Sequence, residues 1–392
     1  MQTRKWKLPG VQDLTKDQEA ALAYSAKGQH LVIGGPGTGK TVVMVMRAIQ
    51  LRRQGTKHVF LVYNHMLHQA SQQMAGEPFT SSTYMSWFCK KFREITGEYV
   101  PNLKPYEYDW TACVSIASEI SGKHISLNEK ELLIIDEGQD MPPGFYETLI
   151  YLGYENFFVA ADQNQQIWGD RNSSRQDLED VLAIDTTDVI ELKHNFRNNY
   201  GIARLARAFY TGDPASPPPK LPDQQRRIYV PILYTFQNQP GVYIGIAKKI
   251  IKFFLRDRQK LIGVITPNHR VRKKYLDALK ESAVLLSENS VKIYTYDSEN
   301  KHVRFDEGCI VVLNAQSCKG LEFDAVVLAD IHEHFIHRDD RDATKKLFYV
   351  MVSRACDAVF LLMKDDSSNQ IHDILPKDVS VLQRKKIAAS HA

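Results

Sequence analysis

The sequence lacks the features that mark membrane-spanning and secreted proteins. Its 392 residues contain no apolar run of about 18 residues, the length that a membrane-spanning helix requires. The opening residues, MQTRKWKLPG, carry basic side chains with no apolar stretch behind them, so they do not read as a secretory signal. We therefore expect a cytoplasmic protein without membrane contact.

Cysteine is scarce, and neither sign of charge dominates. The five cysteines lie far apart without a C-x-x-C pair, which favours reduced thiols over a zinc or disulfide role. The chain has 50 basic and 46 acidic residues, a net charge of +4. With so small an excess, any site for nucleic acid must be a local basic groove rather than a polybasic tail.

Short apolar runs alternate with amphipathic stretches along the chain. The apolar runs predict strands at 30–33, 59–62, 132–135, 157–160, 189–192, 228–234, 261–265, 291–294, 309–313, 325–328 and 358–362. Helical patterns lie between them, for example at 41–54, 241–255 and 270–281. Most runs are continuously apolar, which is typical of strands buried on both faces of a parallel sheet. The alternation predicts an α/β fold with mainly parallel sheets.

A glycine-rich segment at 34–41, GGPGTGKT, follows the first predicted strand and precedes a helix. It has the G-x-x-x-x-G-K-T spacing of a phosphate-binding loop. Glycines allow backbone N–H groups to turn inward around phosphates, and the following helix N-terminus adds partial positive charge. The glycines concerned are Gly35, Gly37 and Gly39. Lys40 is expected to meet the β- and γ-phosphates of ATP, and the Thr41 hydroxyl to bind Mg²⁺.

A second predicted strand, LLII at 132–135, ends in two acids, Asp136 and Glu137. An acid at the carboxyl end of a parallel strand points into the crevice where α/β sheets bind ligands. Asp136 is placed to hold Mg²⁺, and Glu137 to orient or deprotonate the attacking water. The pair indicates ATP hydrolysis because it follows a phosphate loop.

Further short motifs follow in order along nearly the whole chain. They are LTKDQ at 14–18, VYN at 62–64, STYMSWF at 82–88, DEGQD at 136–140, ADQNQQIW at 161–168, ELKHNFR at 191–197, NAQSCKGLEF at 314–323 and LFYVMVSRA at 347–355. Together with the phosphate loop, they resemble the UvrD/Rep/PcrA class of superfamily 1 helicases. The resemblance implies two RecA-like (P-loop NTPase) domains, at 1–190 and 191–375. A polar, poorly ordered tail is expected at 376–392.

The resemblance also implies roles at the nucleotide. Gln18 would read the adenine edge, and Phe196 would stack on adenine. Gln165 would report the γ-phosphate and Arg197 would reach it, while Arg354 would act as the arginine finger. Cations around the γ-phosphate suit a loose phosphoryl-transfer transition state. Because two of them come from the second half of the chain, ATP could pull the domains together and hydrolysis could let them part.

The resemblance places a single-stranded nucleic acid along both domains. The expected contacts are Tyr63, Asn64, Thr83, Trp168, Asn314 and Lys319, while Glu322 of the same K-G-L-E-F motif is expected at the nucleotide. A base is expected to stack on Trp168; for Trp87, base stacking and core packing remain equal alternatives. Asp170, Asn314 and Gln316 depart from the family pattern, which leaves ATP chemistry intact and weakens the expected grip on the strand.

A histidine-rich segment near the C-terminal end offers side chains that ligate metals. Its members are His332, His334, His337, Asp339 and Asp340. It lies where the resemblance implies a variable loop between the last two motifs, so we expect a solvated loop rather than a metal site.

Three functions remain open on the sequence. The first is an ATP-dependent DNA helicase or translocase, 3′ to 5′ as the resemblance implies, and the second is an RNA helicase. The third is a nucleic-acid-sensing ATPase subunit that regulates a protein partner such as a nuclease. The gaps between the motifs have room only for the RecA-like core, which predicts a motor without the accessory domains that help to split a duplex.

Overall fold

The computed structural model describes residues 8–75, 79–105, 107–121, 131–162, 172–212, 217–224, 229–296, 302–336 and 341–387. These residues divide into two compact units, with the division between Lys193 and His194. We call them the N-terminal unit and the C-terminal unit. The sequence places its domain boundary close by, at 190/191.

The N-terminal unit contains a six-stranded sheet in the order β3-β2-β6-β7-β1-β8, and the strands of every neighbouring pair run parallel. A separate antiparallel hairpin joins β4 to β5. The strands are β1 (Gln29–Gly34), β2 (His58–Val62), β3 (Ser81–Thr83), β4 (Asn102–Lys104), β5 (Glu107–Tyr108), β6 (Leu132–Ile135), β7 (Phe157–Ala161) and β8 (Ile190–Leu192). The helices are α1 (Lys16–Leu22), α2 (Lys40–Arg53), α3 (His65–Ala75), α4 (Tyr84–Thr96), α5 (Trp110–Ser121), α6 (Pro143–Tyr151) and α7 (Arg175–Val181).

Both faces of this sheet are buried. Alternate residues of β1 enter different cores, since Leu31 and Ile33 pack in one cluster and Val32 in the other. The same alternation occurs in β6, where Leu133 and Ile134 face opposite ways. A strand with apolar neighbours on both sides needs a continuous apolar run, which explains the sequence pattern. The parallel arrangement brings the carboxyl ends of β1, β6 and β7 to one edge.

The C-terminal unit contains a seven-stranded sheet in the order β11-β12-β10-β13-β14-β9-β15, again with every pair parallel. The strands are β9 (Ile232–Phe236), β10 (Leu261–Thr266), β11 (Ile293–Thr295), β12 (Cys309–Asn314), β13 (Phe323–Leu328), β14 (Ala355–Lys364) and β15 (Gln383–Lys386). The helices are α8 (Tyr200–Ala208), α9 (Val242–Leu255), α10 (His269–Leu285) and α11 (Arg341–Val352). The predicted α/β fold with two RecA-like domains and mainly parallel sheets is confirmed. Among the described helices, none combines the length and the apolar character needed to cross a membrane.

Side-chain caps explain where several helices begin. The Thr15 hydroxyl accepts a hydrogen bond from the backbone N–H of Gln18, and the Gln18 side chain accepts one from the N–H of Thr15. This reciprocal capping box satisfies two donors at the start of α1. Asn199 and Asn268 cap α8 and α10 in the simpler one-bond form.

The expectation of a poorly ordered tail at 376–392 needs correction for the part that the structure describes, which ends at residue 387. Residues Gln383–Lys386 form β15, which pairs in parallel with β9, and the preceding Leu382 is fully buried. Strand pairing uses backbone groups and therefore does not require apolar side chains. A polar sequence such as QRKK can form an edge strand when one apolar residue anchors it.

Candidate functional site

The phosphate loop has the backbone that its glycines permit. Gly37 and Gly39 have φ angles of 76° and 86°, in the left-handed region that glycine adopts without strain. Gly39 is the N-cap of α2, so the loop leads directly into the helix N-terminus. A Cβ at position 39 would lie 2.5 Å from Nε2 of Gln18. The backbone N–H groups at such a turn and helix start form an anion-binding concavity.

Lys40 is held inside this loop. Its Nζ donates hydrogen bonds to the carbonyl oxygens of Gly34 at 2.6 Å and Gly35 at 3.1 Å. It also lies 3.4 Å from Oδ2 of Asp162, a fully buried carboxylate just beyond β7. The Lys40 side chain is only 7% exposed, and these contacts hold it beside the loop that precedes it. A phosphate in the loop would compete with these carbonyl oxygens for the same donors.

Thr41 and Asp136 meet at the sheet edge as expected. The Thr41 hydroxyl donates to Oδ2 of Asp136 at 2.7 Å, although the two residues come from α2 and the end of β6. Burial, followed by repulsion from Glu137, raises the pKa of Asp136 to about 6. A nearby cation favours the ionised carboxylate. Hydroxyl and carboxylate oxygens are ligands that Mg²⁺ prefers, so the pair fits the predicted magnesium role.

Glu137 stands in a strained and buried position beside this pair. Its φ angle is 57°, which is uncommon outside glycine and costs of order 1 kcal/mol or more. Gln139 donates from Nε2 to Oε2 of Glu137 at 2.6 Å, and its Oε1 accepts from the backbone N–H of Asp162 at 2.9 Å. Gln139 thus ties the Glu137 carboxylate to the end of β7. The sequence reasoning assigned Gln139 no role, and its place in the DEGQD motif was the available signal.

Gln18 is joined to the phosphate loop itself. Its Nε2 donates to the carbonyl oxygen of Thr38 at 2.9 Å, and its Oε1 is taken by the capping box with Thr15. The side chain is buried and supports the loop from outside. Its adenine contact stays a prediction.

The nucleotide residues expected in the second half lie in the C-terminal unit. Arg197 donates from Nε to Oε1 of Glu322 at 2.8 Å, and a second guanidinium nitrogen bonds the same carboxylate. The fold therefore brings together these two residues, which are far apart in sequence. Phe196 is 60% exposed, as an aromatic ring must be to stack on a ligand. Arg354 differs because it is only 1% exposed, and its Nε donates to the carbonyl oxygen of Val350 at 3.0 Å.

In the N-terminal unit, the residues expected to contact single-stranded nucleic acid lie at or just beyond the ends of β2 and β3. Tyr63 is partly exposed and stacks on Tyr84, with ring centroids 5.9 Å apart and planes 12° from parallel. Asn64 accepts from the backbone N–H of Leu67 at 2.9 Å and so holds the first turn of α3. Thr83 is buried at the start of α4. Tyr63 has the exposed ring that stacking requires, whereas Asn64 and Thr83 also support the fold.

In the C-terminal unit, the residues expected to contact single-stranded nucleic acid lie at the end of β12 and just beyond it. Oδ1 of Asn314 accepts a hydrogen bond from the Thr266 hydroxyl at 3.2 Å, which links the ends of β12 and β10. Lys319 is buried, while Gln316 beside it is exposed. The nucleic-acid roles of Asn314 and Lys319 stay predictions. Gln165, Trp168 and Asp170 lie outside the described residues.

Trp87 packs in the core of the N-terminal unit. It is 7% exposed and meets Tyr154 edge to face at 5.5 Å. Of the two alternatives for this residue, the geometry favours core packing over base stacking.

The expected solvated loop needs correction for the two histidines that the structure describes. Burial lowers the pKa of His334 to about 4, and its ring packs against Phe348. Ligand atoms of Asp330, His332 and Glu333 lie within 4.8 Å of one another. The buried Asp330 carboxylate already accepts hydrogen bonds from two tyrosine hydroxyls, of Tyr243 and Tyr275, at 2.8 Å each. His337, Asp339 and Asp340 lie outside the described residues.

The phosphate loop, the acids at the end of β6 and the parallel sheets define the class as a P-loop, RecA-like ATPase. Residues 17–170 match the family model described as an AAA domain, and residues 310–362 match that of the UvrD-like helicase C-terminal domain. These matches confirm the resemblance to UvrD-like helicases of superfamily 1. They support an ATP-hydrolysing, helicase-type enzyme.

Two further comparisons add little. A crystal structure of the C-terminal domain of a possible DNA helicase from Lactobacillus plantarum WCFS1 is similar at 17% identity and a TM-score of 0.33. The alignment covers 48% of this chain and 98% of that one, and similarity at this level carries no argument about function. Among curated protein sequences, none matches the chain.

Proposed function

We propose that this chain is an ATP-dependent DNA helicase or translocase that moves 3′ to 5′ along single-stranded nucleic acid in the cytoplasm. The observation that carries the proposal is the convergence of Lys40, Thr41, Asp136 and Glu137 at one edge of the N-terminal sheet. The UvrD-like match at 310–362 supports a helicase rather than another use of the same ATPase chemistry.

Each residue at this edge has a distinct part in hydrolysis. The loop N–H groups bind phosphate oxygens, and Lys40 transfers its hydrogen bonds from the loop carbonyls to the β- and γ-phosphates. Thr41 and Asp136 would hold Mg²⁺, which neutralises charge on the phosphates. Glu137 orients the attacking water and takes its proton, while Gln139 keeps the Glu137 carboxylate in position. Gln165 is proposed to report the γ-phosphate.

Coupling to movement is proposed to come from the C-terminal unit. Arg197 and Arg354 would bring positive charge to the γ-phosphate as negative charge redistributes in the transition state. Phe196 would stack on adenine, and Glu322 would position Arg197 until it meets the nucleotide. ATP then draws the two domains together, and hydrolysis lets them part.

Single-stranded DNA should stimulate magnesium-dependent ATP hydrolysis by the purified chain. The strand would lie along Tyr63, Asn64, Thr83, Trp168, Asn314 and Lys319, with bases on exposed rings and phosphates on cations. Steady-state ATPase rates with DNA, with RNA of the same sequence and without nucleic acid test this. Stimulation should fall steeply as salt rises, because phosphate neutralisation releases counterions.

The same measurement separates the alternatives. Equal or greater stimulation by RNA would favour an RNA helicase. An ATPase rate that neither DNA nor RNA changes would contradict both the DNA helicase and the RNA helicase functions. Only the proposed ATP hydrolysis would then be supported.

The second candidate function is a nucleic-acid-sensing ATPase subunit that regulates a protein partner such as a nuclease. It is favoured by the small number of structural elements that lie between the sequence motifs. Between α4 and α5, the described residues place only the small β4–β5 hairpin, and all described strands from β9 to β15 belong to one sheet. A third compact unit that could act as a wedge is therefore missing from the described part of the chain.

The isolated chain is accordingly expected to unwind duplexes poorly. DNA stacking is worth about 1.4 kcal/mol per base-pair step, so a motor without a wedge must wait for fraying or borrow one from a partner. A strand-displacement assay on a duplex of about 20 base pairs with a single-stranded tail tests this. ATPase activity with weak displacement is the expected result, whereas fast and complete unwinding by the pure chain would rule it out.

A further inference from the structure

The C-terminal unit contains an apolar cavity of about 500 Å³ on one face of its sheet. We call it the α9 cavity. Its floor includes Tyr234 of β9 and Phe360 and Leu362 of β14, and one wall is formed by α9 with Ile250 and Phe253. A cavity of this volume is within the range of ligand-binding pockets.

The register of the strands explains why these residues share a face. Leu362 pairs with Tyr234, and Phe360 lies two residues before Leu362 on β14. Residues two apart on a strand point to the same side, so their side chains form one continuous floor. The Phe253 ring meets Phe360 edge to face at 5.4 Å, which closes the wall against the floor. Tyr234, Phe253 and Phe360 remain only partly buried.

One rim of the cavity is basic. Lys249, Lys252 and Arg256 line it, are exposed, and stand at the i, i+3 and i+7 positions that share one face of a helix. Helix α9, with the sequence VYIGIAKKIIKFFL, contains no acidic residue. None of the three cations pairs with a carboxylate among the described residues, unlike Lys260, which lies 3.0 Å from Asp357.

Strand β15 carries a fourth cation close to the cavity. Lys385 pairs in register with Tyr234, so its side chain points to the face on which the cavity opens. Ile387, two residues later, lines the cavity itself. A fourth basic side chain therefore lies on the same face of the sheet as the cavity, on the strand that leads to Ile387.

We propose that the α9 cavity docks an acidic peptide segment of a partner protein that carries one large apolar side chain. The apolar side chain enters between Phe253 and Phe360. Carboxylates on either side of it pair with Lys249, Lys252 and Arg256 along the helix and with Lys385 on β15. A buried apolar anchor surrounded by complementary charge is the usual energetic centre of such an interface.

The geometry favours a peptide over nucleic acid. A single strand needs successive exposed rings on which bases stack, whereas Phe253 packs edge to face on Phe360, Tyr234 is tilted against Phe360, and the three partly buried rings line a single cavity. The cavity also lies on a face of the sheet, among side chains of β9 and β14. The proposed strand contacts Asn314 and Lys319 lie instead at and beyond the carboxyl end of β12. The docking surface is therefore distinct from these proposed nucleic-acid contacts, and its test does not depend on ATPase activity.

The test measures fluorescence anisotropy of a fluorescein-labelled peptide, Glu-Glu-Glu-Trp-Glu-Glu, with the full chain. Replacing Lys249→Glu together with Lys252→Glu should weaken binding at least about fivefold, because attractive pairs become repulsive. The matched control Lys280→Glu changes an exposed lysine on α10 that does not line the cavity, and it should leave binding unchanged. Peptides with serine for tryptophan or glutamine for glutamate should each bind more weakly.

Three outcomes would overturn the proposal. The first is failure of the labelled peptide to bind, and the second is binding that the Lys249→Glu, Lys252→Glu chain retains in full. The third is a single-stranded oligonucleotide that displaces the peptide and loses its own affinity in the same variant, which would make the surface a nucleic-acid track.

Discussion

Glu137→Gln is expected to bind ATP normally and to hydrolyse it at least about 100-fold more slowly than the unsubstituted chain, because it loses the positioned base. Glutamine keeps the size and hydrogen-bonding reach of the side chain, so the contact with Gln139 can persist while the negative charge is lost. Single-turnover hydrolysis and equilibrium binding of a fluorescent ATP analogue measure the two effects separately. Full activity in this variant would remove Glu137 from the mechanism.

Two comparison variants sharpen that result. Glu147→Gln changes an exposed glutamate on α6 of the same unit and should hydrolyse ATP at the normal rate. Lys40→Ala should instead lose mainly ATP affinity, because Lys40 is proposed to contact the phosphates in the ground state as well as in the transition state. Equal binding defects in Glu137→Gln and Lys40→Ala would mean that Glu137 supports the fold of the site rather than the chemistry.

Arg197→Ala is expected to lower the turnover rate at least about tenfold and to leave ATP affinity within about tenfold. The guanidinium charge matters most where charge redistributes in the transition state, so its loss acts on turnover more than on binding. Steady-state rates over a range of ATP concentrations separate the two quantities. Arg204→Ala serves as the matched control, since among the described residues this arginine on α8 pairs with Ser380 and Asp378 and lies over the ring of Tyr200, away from Glu322.

Arg354→Ala should also lower turnover, but it needs a stability measurement beside the rate. Its guanidinium is buried and donates to Val350 near the end of α11 and to Ser353, so its removal takes away buried hydrogen bonds and leaves a cavity in their place. We expect a larger drop in unfolding temperature for this variant than for Arg197→Ala, because Arg354 is 1% exposed whereas the Arg197–Glu322 pair is partly open to solvent. Normal turnover in both variants would show that the C-terminal unit supplies no cation to the reaction.

The spacing of residues along the chain was enough to predict the candidate nucleotide site of the N-terminal unit. A phosphate loop must follow a strand and begin a helix, so GGPGTGKT carries its own structural context. Asp136, which follows LLII, lies beside Thr41 because the carboxyl ends of parallel strands meet at one edge, and the roles of the two acids stay predictions. The same logic identified most strands, since strands buried on both faces require continuous apolar runs.

The sequence could not predict the role of residues whose environment is set by a neighbour that is distant along the chain. Trp87 could be either a core or a stacking residue until Tyr154 appeared beside it. Gln139 is held by the backbone N–H of Asp162, which lies just beyond β7. The strand β15 has a polar sequence and forms because β9 offers an unpaired edge.

The sequence by itself determined the ATPase chemistry, the α/β architecture and the helicase resemblance, because each depends on residue types at fixed distances along the chain. Only the tertiary structure decided which surfaces those residues share. Lys249 and Lys252 read as an ordinary solvated helix face until α9 is placed beside Tyr234 and Phe360. Lys385 joins them through the register of β15. Apolar cavities and their charged rims arise from packing between separate elements, and no local pattern encodes that packing.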